Sequence, residues 1–291
     1  MDINKYKIFL QSVDSGSFSK VAEETGYTPS GIVHMMNTLE SEMGFPLLVR
    51  SRRGVRLTPD GERVAPILRS LVKWEEQLNQ VSSDICGAVT GSITLGSYYS
   101  IAVNWLPEVI RQFQKDFPNV KIQLLEGVHQ KLDNLLAEQR VDFCLFSYPP
   151  AGDLEWIPLR PDRMVAVLPR EHPLAGAEAY PIANYRDADF IMPAEGYDYD
   201  IMRVLEKHHI TPRVSYSTGE DNAALAMIEK GLGVGLMNEL TTRGRNNSAV
   251  ILPLDPPESI EMGIAIPSLK KASPAARRFV EYLIRILRDG Q

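Results

Sequence analysis

Three short helical patterns followed by an arginine-rich hairpin constrain the fold of this chain most strongly. The first helix has apolar residues at i, i+3, i+4 and i+7 and is expected to end near Gly16. Ser17 can cap a brief second helix. Thr28 and Pro29 supply a cap and then a proline at the first helical position, so a third helix is expected to run from there to about Met43.

The basic residues of this segment are concentrated in the hairpin. No Lys or Arg occurs between Lys20 and Arg50, and two short strands around Gly54 then carry four arginines within seven residues. Such a hairpin could be a solvated surface, but the three preceding helices favour a site on DNA, with the third helix in the major groove and the hairpin along the phosphates.

Phosphate contacts carry no sequence information, so base reading is assigned to the outer face of the third helix. Asn37 can pair with adenine, and Val33 can contact a thymine methyl group. The residues expected to contact DNA are Ser17, Thr28, Pro29, Ser30, Val33, His34, Asn37, Arg50, Arg52, Arg53 and Arg56.

A longer helix is expected from Pro59, and Pro66 is expected to kink or restart it. Its apolar residues alternate spacings of four and three, which is a heptad seam. The stripe could pack on its own domain, but its length and its tryptophan favour a partner helix and therefore a dimer. The seam consists of Ile67, Leu71, Trp74, Leu78, Val81 and Ile85.

The pattern changes after a small-residue hinge at 87–91. Short apolar runs then alternate with helix-length amphipathic runs at 101–116, 129–139, 199–208 and 221–231, and a last helix is expected at 275–287. This order predicts a βαβ architecture with largely parallel sheets in two lobes. We expect one lobe at about 92–160 and 266–291, and the other at about 161–265. The predicted strands are 93–95, 120–125, 143–146, 164–168, 190–192 and 234–237.

Composition excludes several classes of protein. The formal net charge is -6 and the pI is about 5.5, which argues against a wholly basic nucleic-acid coat or a polybasic membrane-surface protein. Apolar runs are too short for a membrane span, and the start of the chain lacks an export signal, so a cytoplasmic protein is expected. Cys86 and Cys144 are far apart, which supports neither a disulfide framework nor a zinc site.

Ligands of open α/β sheets bind beyond the carboxyl ends of the strands, so a small-molecule site is sought there. Singly, each residue there is better explained as a cap or loop residue, and only their shared placement argues for a site. Hydroxyls and backbone N–H groups after the first strand suit an oxygen-rich or anionic ligand, and four tyrosines suit a planar one. The predicted ligand-binding residues are Ser97, Tyr98, Tyr99, Ser100, Val128, His129, Ser147, Tyr148, Glu195, Tyr197 and Thr218.

Patterns for other chemistry are weak. Glu195, Asp198 and Asp200 could bind a cation, but the acids also suit a helix N-terminus, and no metal site is expected. The glycines at 231, 233 and 235 follow a helix rather than a strand, which is the wrong order for a dinucleotide fingerprint. Neither HExxH nor GxSxG occurs. We therefore expect no cofactor, no catalytic residue and no enzyme.

Several motifs in combination resemble those of LysR-type transcriptional regulators, over essentially the whole chain. The resemblance implies a winged helix-turn-helix at 1–58, a linker and dimerisation helix at 59–86, a hinge at 87–91 and a two-lobed α/β effector domain, like periplasmic binding proteins, at 92–291. The motifs are Gly16-Ser17-Phe18-Ser19, Thr28-Pro29-Ser30, Leu39-Glu40, Arg53-Gly54-Val55-Arg56-Leu57-Thr58-Pro59-Asp60-Gly61, Glu171-His172-Pro173-Leu174-Ala175 and Lys230-Gly231-Leu232-Gly233-Val234-Gly235.

The resemblance further implies a homodimer or homotetramer that binds double-stranded promoter DNA and responds to a small-molecule effector, with RNA polymerase as a possible partner. It also places effector contacts in the segment that follows the first strand of the second domain. The recognition helix departs from the family because Val33, His34 and Asn37 stand where a Ser-Arg pair and a nearby basic residue are usual. The alternative function is a small-molecule-binding protein or enzyme with an accessory N-terminal domain.

Overall fold

The computed structural model describes residues 2–51, 54–87, 89–244 and 248–290. The chain divides into two compact units, one of Met1–Gly91 with Glu138–Arg140 and the other of Ser92–Ala137 with Val141–Gln291. Among the described helices, none combines the length and the hydropathy needed to cross a membrane.

The first unit packs helices and a hairpin around one apolar core. Side-chain caps fix where its helices begin, as expected. The hydroxyls of Ser17, Thr28 and Thr58 accept hydrogen bonds from backbone N–H groups over 3.3, 3.1 and 2.9 Å. The elements are α1 (Ile3–Ser15), α2 (Phe18–Thr25), α3 (Pro29–Met43), β1 (Leu48–Ser51), β2 (Gly54–Leu57) and α4 (Pro59–Ile85).

The hairpin pairs β1 with β2 in an antiparallel register from Leu48↔Leu57 to Ser51↔Gly54. Gly54 adopts a φ of 113°, and a Cβ at this position would lie 2.5 Å from the carbonyl oxygen of Gly16. Val55 donates a backbone hydrogen bond to that same oxygen over 2.9 Å. The hairpin is therefore held against the end of α1, and only glycine permits this close approach.

The long helix α4 is continuous through Pro66, so the expected restart of the helix at that residue is wrong. Proline removes one hydrogen bond to the preceding turn. Ala65 and Leu68 on either side of it are buried in the core of the first unit. The burial of these neighbours keeps the helix in one piece.

The second unit contains strands and helices in alternation over its first half. Its strands are β3 (Gly91–Ser97), β4 (Val120–Glu126), β5 (Phe143–Ser147), β6 (Glu155–Leu168), β7 (Tyr180–Pro181), β8 (Asp189–Met192), β9 (Arg213–Ser217), β10 (Gly235–Asn238) and β11 (Val250–Ile266). Its helices are α5 (Tyr99–Asn104), α6 (Leu106–Asp116), α7 (His129–Ala137), α8 (Tyr199–Lys207), α9 (Asp221–Glu229), α10 (Glu239–Thr242) and α11 (Pro274–Leu283).

Two predicted helices differ from the expectation. The run at 101–116 is divided at Trp105 into α5 and α6, where Pro107 lies in the first turn of α6. The last helix, α11, ends at Leu283 and continues as a π-helical turn over Ile284–Arg288.

The expectation of largely parallel sheets is wrong. The main sheet has the order β10-β6-β11-β5-β3-β4, and β11 pairs antiparallel with both β5 and β6. Parallel pairing joins β3 to β5, β7 to β11 and β8 to β9, so the main sheet is mixed. The reason is the long β6–β11 ladder, whose prolines suppress the strand signal in the sequence. They are Pro158, Pro161, Pro253, Pro256 and Pro257.

The β6–β11 ladder belongs to both lobes of the second unit. Near its Ile266↔Glu155 end, β11 pairs with β5 of the first lobe. Near its Val250↔Leu168 end, β6 pairs with β10 of the second lobe. Strands β3, β4 and β5 therefore lie on one side of the ladder, β10 lies on the other, and the crossover strands connect them.

Candidate functional site

The third helix presents two different faces. Ile32, Met36 and Leu39 are buried in the core of the first unit. The opposite side leaves Thr28, Pro29, Ser30, His34 and Asn37 exposed and Val33 half-buried. On this outer face the Thr28 and Ser30 hydroxyls bond to each other over 3.2 Å, and the side chains of His34 and Asn37 are open to solvent.

The arginines of the hairpin differ in their surroundings. Arg50 donates to the Glu40 carboxylate over 3.0 Å and lies 5.5 Å above the ring of Phe18. The other oxygen of Glu40 accepts from the backbone N–H groups of residues 47 and 48. Arg50 therefore ties the hairpin to α3, and Glu40 offsets its charge.

Among the remaining residues expected to contact DNA, Arg56 is exposed on β2. Ser17 accepts from the backbone N–H of Lys20 and is thus a helix cap as well. Arg52 and Arg53 lie outside the described residues.

The heptad stripe on α4 is largely open to solvent. Trp74 is 70% exposed and Ile85 is 81% exposed. Ile67, Leu78 and Val81 are exposed as well. Leu71 differs, because it packs against the apolar core of its own unit. Most of the predicted seam is therefore an uncovered apolar surface.

In the second unit, a cavity of about 520 Å³ lies between the two lobes. Its walls follow the carboxyl ends of β3, β4, β8 and β9, where sheets of this kind bind ligands. Six of the predicted ligand-binding residues line it: Tyr98, Tyr99, Ser100, Val128, His129 and Glu195.

Five other predicted residues do not line this cavity. Ser97 and Ser147 are fully buried beneath it. The Tyr148 ring packs beside Trp156, 5.5 Å between centroids. Tyr197 lines a smaller, separate depression, and the Thr218 carbonyl accepts from the Glu195 backbone N–H over 2.9 Å. Of the four tyrosines expected to form the rim, the cavity therefore brings together only two, Tyr98 and Tyr99, among the residues described.

Part of the wall lies outside the predicted ligand-binding residues, although Asp198 and Asp200 were considered as possible cation ligands. The cavity is also lined by Glu126, Lys131, Asp198, Tyr199, Asp200, Glu220, Asp221, Asn238 and Thr241. Several of these acids lie in the first turn of a helix, where the helix dipole alone explains an acidic residue. The recurrence of acidic residues after two separate strands, β8 and β9, is the sequence pattern that could have predicted these wall residues.

A polar network joins the lobes at the floor of the cavity. The Tyr98 hydroxyl donates to the Asp200 carboxylate over 2.9 Å. It also lies 3.0 Å from His129 Nδ1 and 3.1 Å from Ser147 Oγ. His129 in turn stacks on Tyr199, with 4.0 Å between ring centroids. One hydroxyl therefore connects β3, α7, β5 and α8.

Burial shifts the protonation equilibria of this network. Desolvation raises the pKa of Asp200 to about 6, and the neighbouring Asp198 adds to the increase. Desolvation and the two carboxylates raise the pKa of Tyr98 well above its usual value. Desolvation lowers the pKa of His129 and so favours the neutral imidazole, whereas the neighbouring Asp133 opposes the shift.

The acids of the cavity do not form a metal centre. Within the described part of the chain, no group of three or more His, Cys, Asp or Glu side chains could hold a metal ion.

Two family models match the chain and together cover most of it. The model described as "LysR substrate binding domain" matches residues 87–288. The model described as "Bacterial regulatory helix-turn-helix protein, lysR family" matches residues 3–62.

Individual proteins are similar over two thirds of the chain or more. The uncharacterized HTH-type transcriptional regulator YvbU of Bacillus subtilis is 28% identical over 284 residues, which is 97% of each chain. Full-length CbnR complexed with its target DNA has a TM-score of 0.67 at 17% identity, covering 98% of this chain and 99% of the other. The effector binding domain of QuiR in complex with shikimate has a TM-score of 0.62 at 20% identity, covering 68% of this chain and 97% of the other.

Proposed function

Because the chain belongs to the LysR family of transcriptional regulators, we propose that it binds operator DNA as a symmetric dimer and changes transcription when a small molecule occupies its cavity. The site of action is the cytoplasm, where promoter DNA and RNA polymerase are its partners. The outer face of α3 carries this proposal, since its polar groups are exposed while its inner face forms the core.

Base recognition is assigned to His34 and Asn37, which are exposed one turn apart on α3, with Val33 beside them. An Asn amide can donate to and accept from the adenine edge in the major groove. The ring nitrogens of His34 can hydrogen-bond to base edges, but they lack the permanent charge of an arginine. The outer face of α3 therefore contributes to sequence specificity and contributes little to the electrostatic affinity for DNA.

Affinity for the phosphates is assigned to Arg52, Arg53 and Arg56. Arg50 contributes less, because its guanidinium is already bound to Glu40. Arg50 instead holds the hairpin against α3, which positions the other arginines to contact the phosphates.

Dimerisation is assigned to the exposed stripe of α4. Apolar residues at heptad spacing favour the packing of knobs into holes between two helices. Two copies related by a twofold axis would place two α3 helices on two half-sites of DNA. The operator is accordingly an inverted repeat.

The experiment that tests DNA binding measures its salt dependence for the full-length protein and for an Arg52→Ala, Arg53→Ala variant. Each lost phosphate contact lowers the slope of log K against log salt by about 0.9, so a dimer should lose about 3 to 4 in slope. Affinity should fall on every DNA sequence alike.

A matched control removes two adjacent exposed arginines from α11, as Arg277→Ala with Arg278→Ala. This variant should keep the wild-type slope. Equal slopes in all three proteins would contradict the assignment of the hairpin to DNA.

A further inference from the structure

The walls of the cavity carry mostly negative charge. Lys131 is the only Lys or Arg among the described residues that line it, and its ammonium group already donates to the Glu126 carbonyl over 2.8 Å. The acidic residues of the wall are Glu126, Glu195, Asp198, Asp200, Glu220 and Asp221. A ligand that enters therefore meets a negative potential focused by low-dielectric walls.

The helix that faces this cavity from the second lobe is not free to bind an anion. The Asp198 carboxylate accepts from the backbone N–H groups of Asp200 and Ile201, each over 3.0 Å. These are the donors that would otherwise bind an anionic ligand at the start of α8. The protein's own carboxylate occupies that position, so the start of α8 does not offer these donors to an anionic ligand.

The helix dipole explains why an acidic residue lies in the first turn of a helix, but it does not explain why Asp200 is buried. This residue is 6% exposed, and its Oδ1 atom is buried without a hydrogen-bond donor. The nearest cation, Arg203, lies 3.5 Å from Oδ1 and also donates to the Tyr148 carbonyl. A buried carboxylate with an unsatisfied oxygen is costly, so this part of the wall favours a positive charge in the cavity over a negative one.

Aromatic rings complete the wall. Tyr98, Tyr99 and Tyr199 line the same cavity as Asp198 and Asp200. Faces of tyrosine rings attract organic cations. The volume of about 520 Å³ lies within the range of small-molecule sites.

We propose that the effector is a small organic cation, an amine or guanidinium with an apolar body, whose N–H groups pair with Asp198 and Asp200 between the tyrosine rings. An organic cation fits better than a metal ion, because no metal-binding group is present among the described residues. This inference rests on the proposed function, since it assumes that the effector binds in this cavity.

The test compares amine and carboxylate probes of equal size on the full-length protein. The pairs, in each of which the amine and the carboxylate have the same number of carbon atoms, are tyramine with 4-hydroxyphenylacetate, benzylamine with benzoate, and pentylamine with pentanoate. Dissociation constants are measured by calorimetry at pH 7.5. The amine of at least one pair should bind about tenfold or more tighter than its carboxylate.

Two variants locate the bound amine. Asp198→Asn keeps a helix-capping side chain, and Asp200→Asn keeps the shape of the buried group. Each should weaken amine binding by about tenfold. Asp153→Asn is the matched control, because it removes one exposed carboxylate outside the cavity. It should leave amine binding within about twofold of the wild type.

Three outcomes would overturn the cation assignment: tighter binding of the carboxylates, no binding of any amine, or amine binding that neither cavity variant weakens. DNA binding by the untreated wild type is measured on the same samples. A protein that binds DNA but prefers carboxylates loses only the inference about the ligand. A protein that binds no DNA fails the proposed function instead.

Discussion

At the scale of single residues, Asp200 lies in an environment unlike that of an ordinary surface acid. Asp198 and Arg203 face it from its own helix, and Tyr98 and Ser147 face it from the first lobe. Burial outweighs the stabilising contacts and raises the pKa of Asp200 to about 6. The ionised form of Asp200 is therefore less stable in the folded protein than it is in an ordinary surface acid, although it still predominates at neutral pH.

This shift predicts a pH-dependent effect of Asp200→Asn on stability. The pKa of Asp200 in the folded state lies above the usual value of 3.8. Between about pH 4 and 6 the native state therefore binds more protons than the unfolded state. The stability of the protein falls as the pH rises through that window. The ionised carboxylate costs up to about 3 kcal/mol at neutral pH. Asp200→Asn should thus raise the unfolding temperature by about 5 °C at pH 7.5.

The advantage of Asp200→Asn should shrink as the pH falls from about 6 toward about 4, because wild-type Asp200 becomes protonated in the folded state over this range, and it should vanish below the usual value of 3.8. Scanning calorimetry at several pH values measures it, with Asp153→Asn as the exposed control. An advantage that stays constant with pH would show that Asp200 titrates as an ordinary surface acid.

Individual site residues could be predicted from the sequence only where their position directly after a strand places them at the cavity. Tyr98, Tyr99 and Ser100 follow directly after a strand, so the sequence placed them at the cavity. Asp200 meets Tyr98 across 102 positions, and no local pattern shows that its carboxylate becomes buried. An acid in a first helical turn looks the same in the sequence whether it is solvated or facing a ligand.

At the scale of elements, the described helices of the first unit were predictable because hydrogen-bonding caps mark their starts. Thr28 and Thr58 each precede a proline and accept from the N–H three residues later. Strands β6 and β11 lacked such marks. Most of their prolines lie where the register of the β6–β11 ladder is shifted. One shift falls between Pro253 and Glu258, and the other lies beside Pro158.

Helix α4 carries the prediction about assembly. Trp74→Asp places a charge in the middle of the exposed stripe, where a dimer would bury it, and burying an unpaired charge costs several kcal/mol. The variant should have the mass of a monomer in light scattering, whereas the wild type should have that of a dimer or tetramer.

The matched control for Trp74→Asp is Asn79→Asp, which adds the same charge to an exposed position of α4 outside the stripe. It should keep the wild-type mass. If Trp74→Asp also keeps that mass, the stripe is not the dimer interface.

At the scale of the whole molecule, the two tasks of the chain are assigned to its two units. The first 90 residues carry 10 Lys and Arg against 11 Asp and Glu, which is nearly neutral. A monomer with few basic residues on its recognition helix has a small electrostatic footprint, and a dimer doubles it. Dimerisation therefore contributes to affinity as well as to the symmetry of the operator.

The central claim is that exposed residues of α3 read a specific operator. The direct measurement is sequencing of genomic DNA fragments selected at moderate salt by the full-length wild type and by a His34→Ala, Asn37→Ala variant. We expect the wild type to select a few fragments that share an inverted repeat. The variant should lose that enrichment but keep salt-dependent binding to DNA. The same enriched fragments for both proteins, or uniform recovery by the wild type, would contradict it.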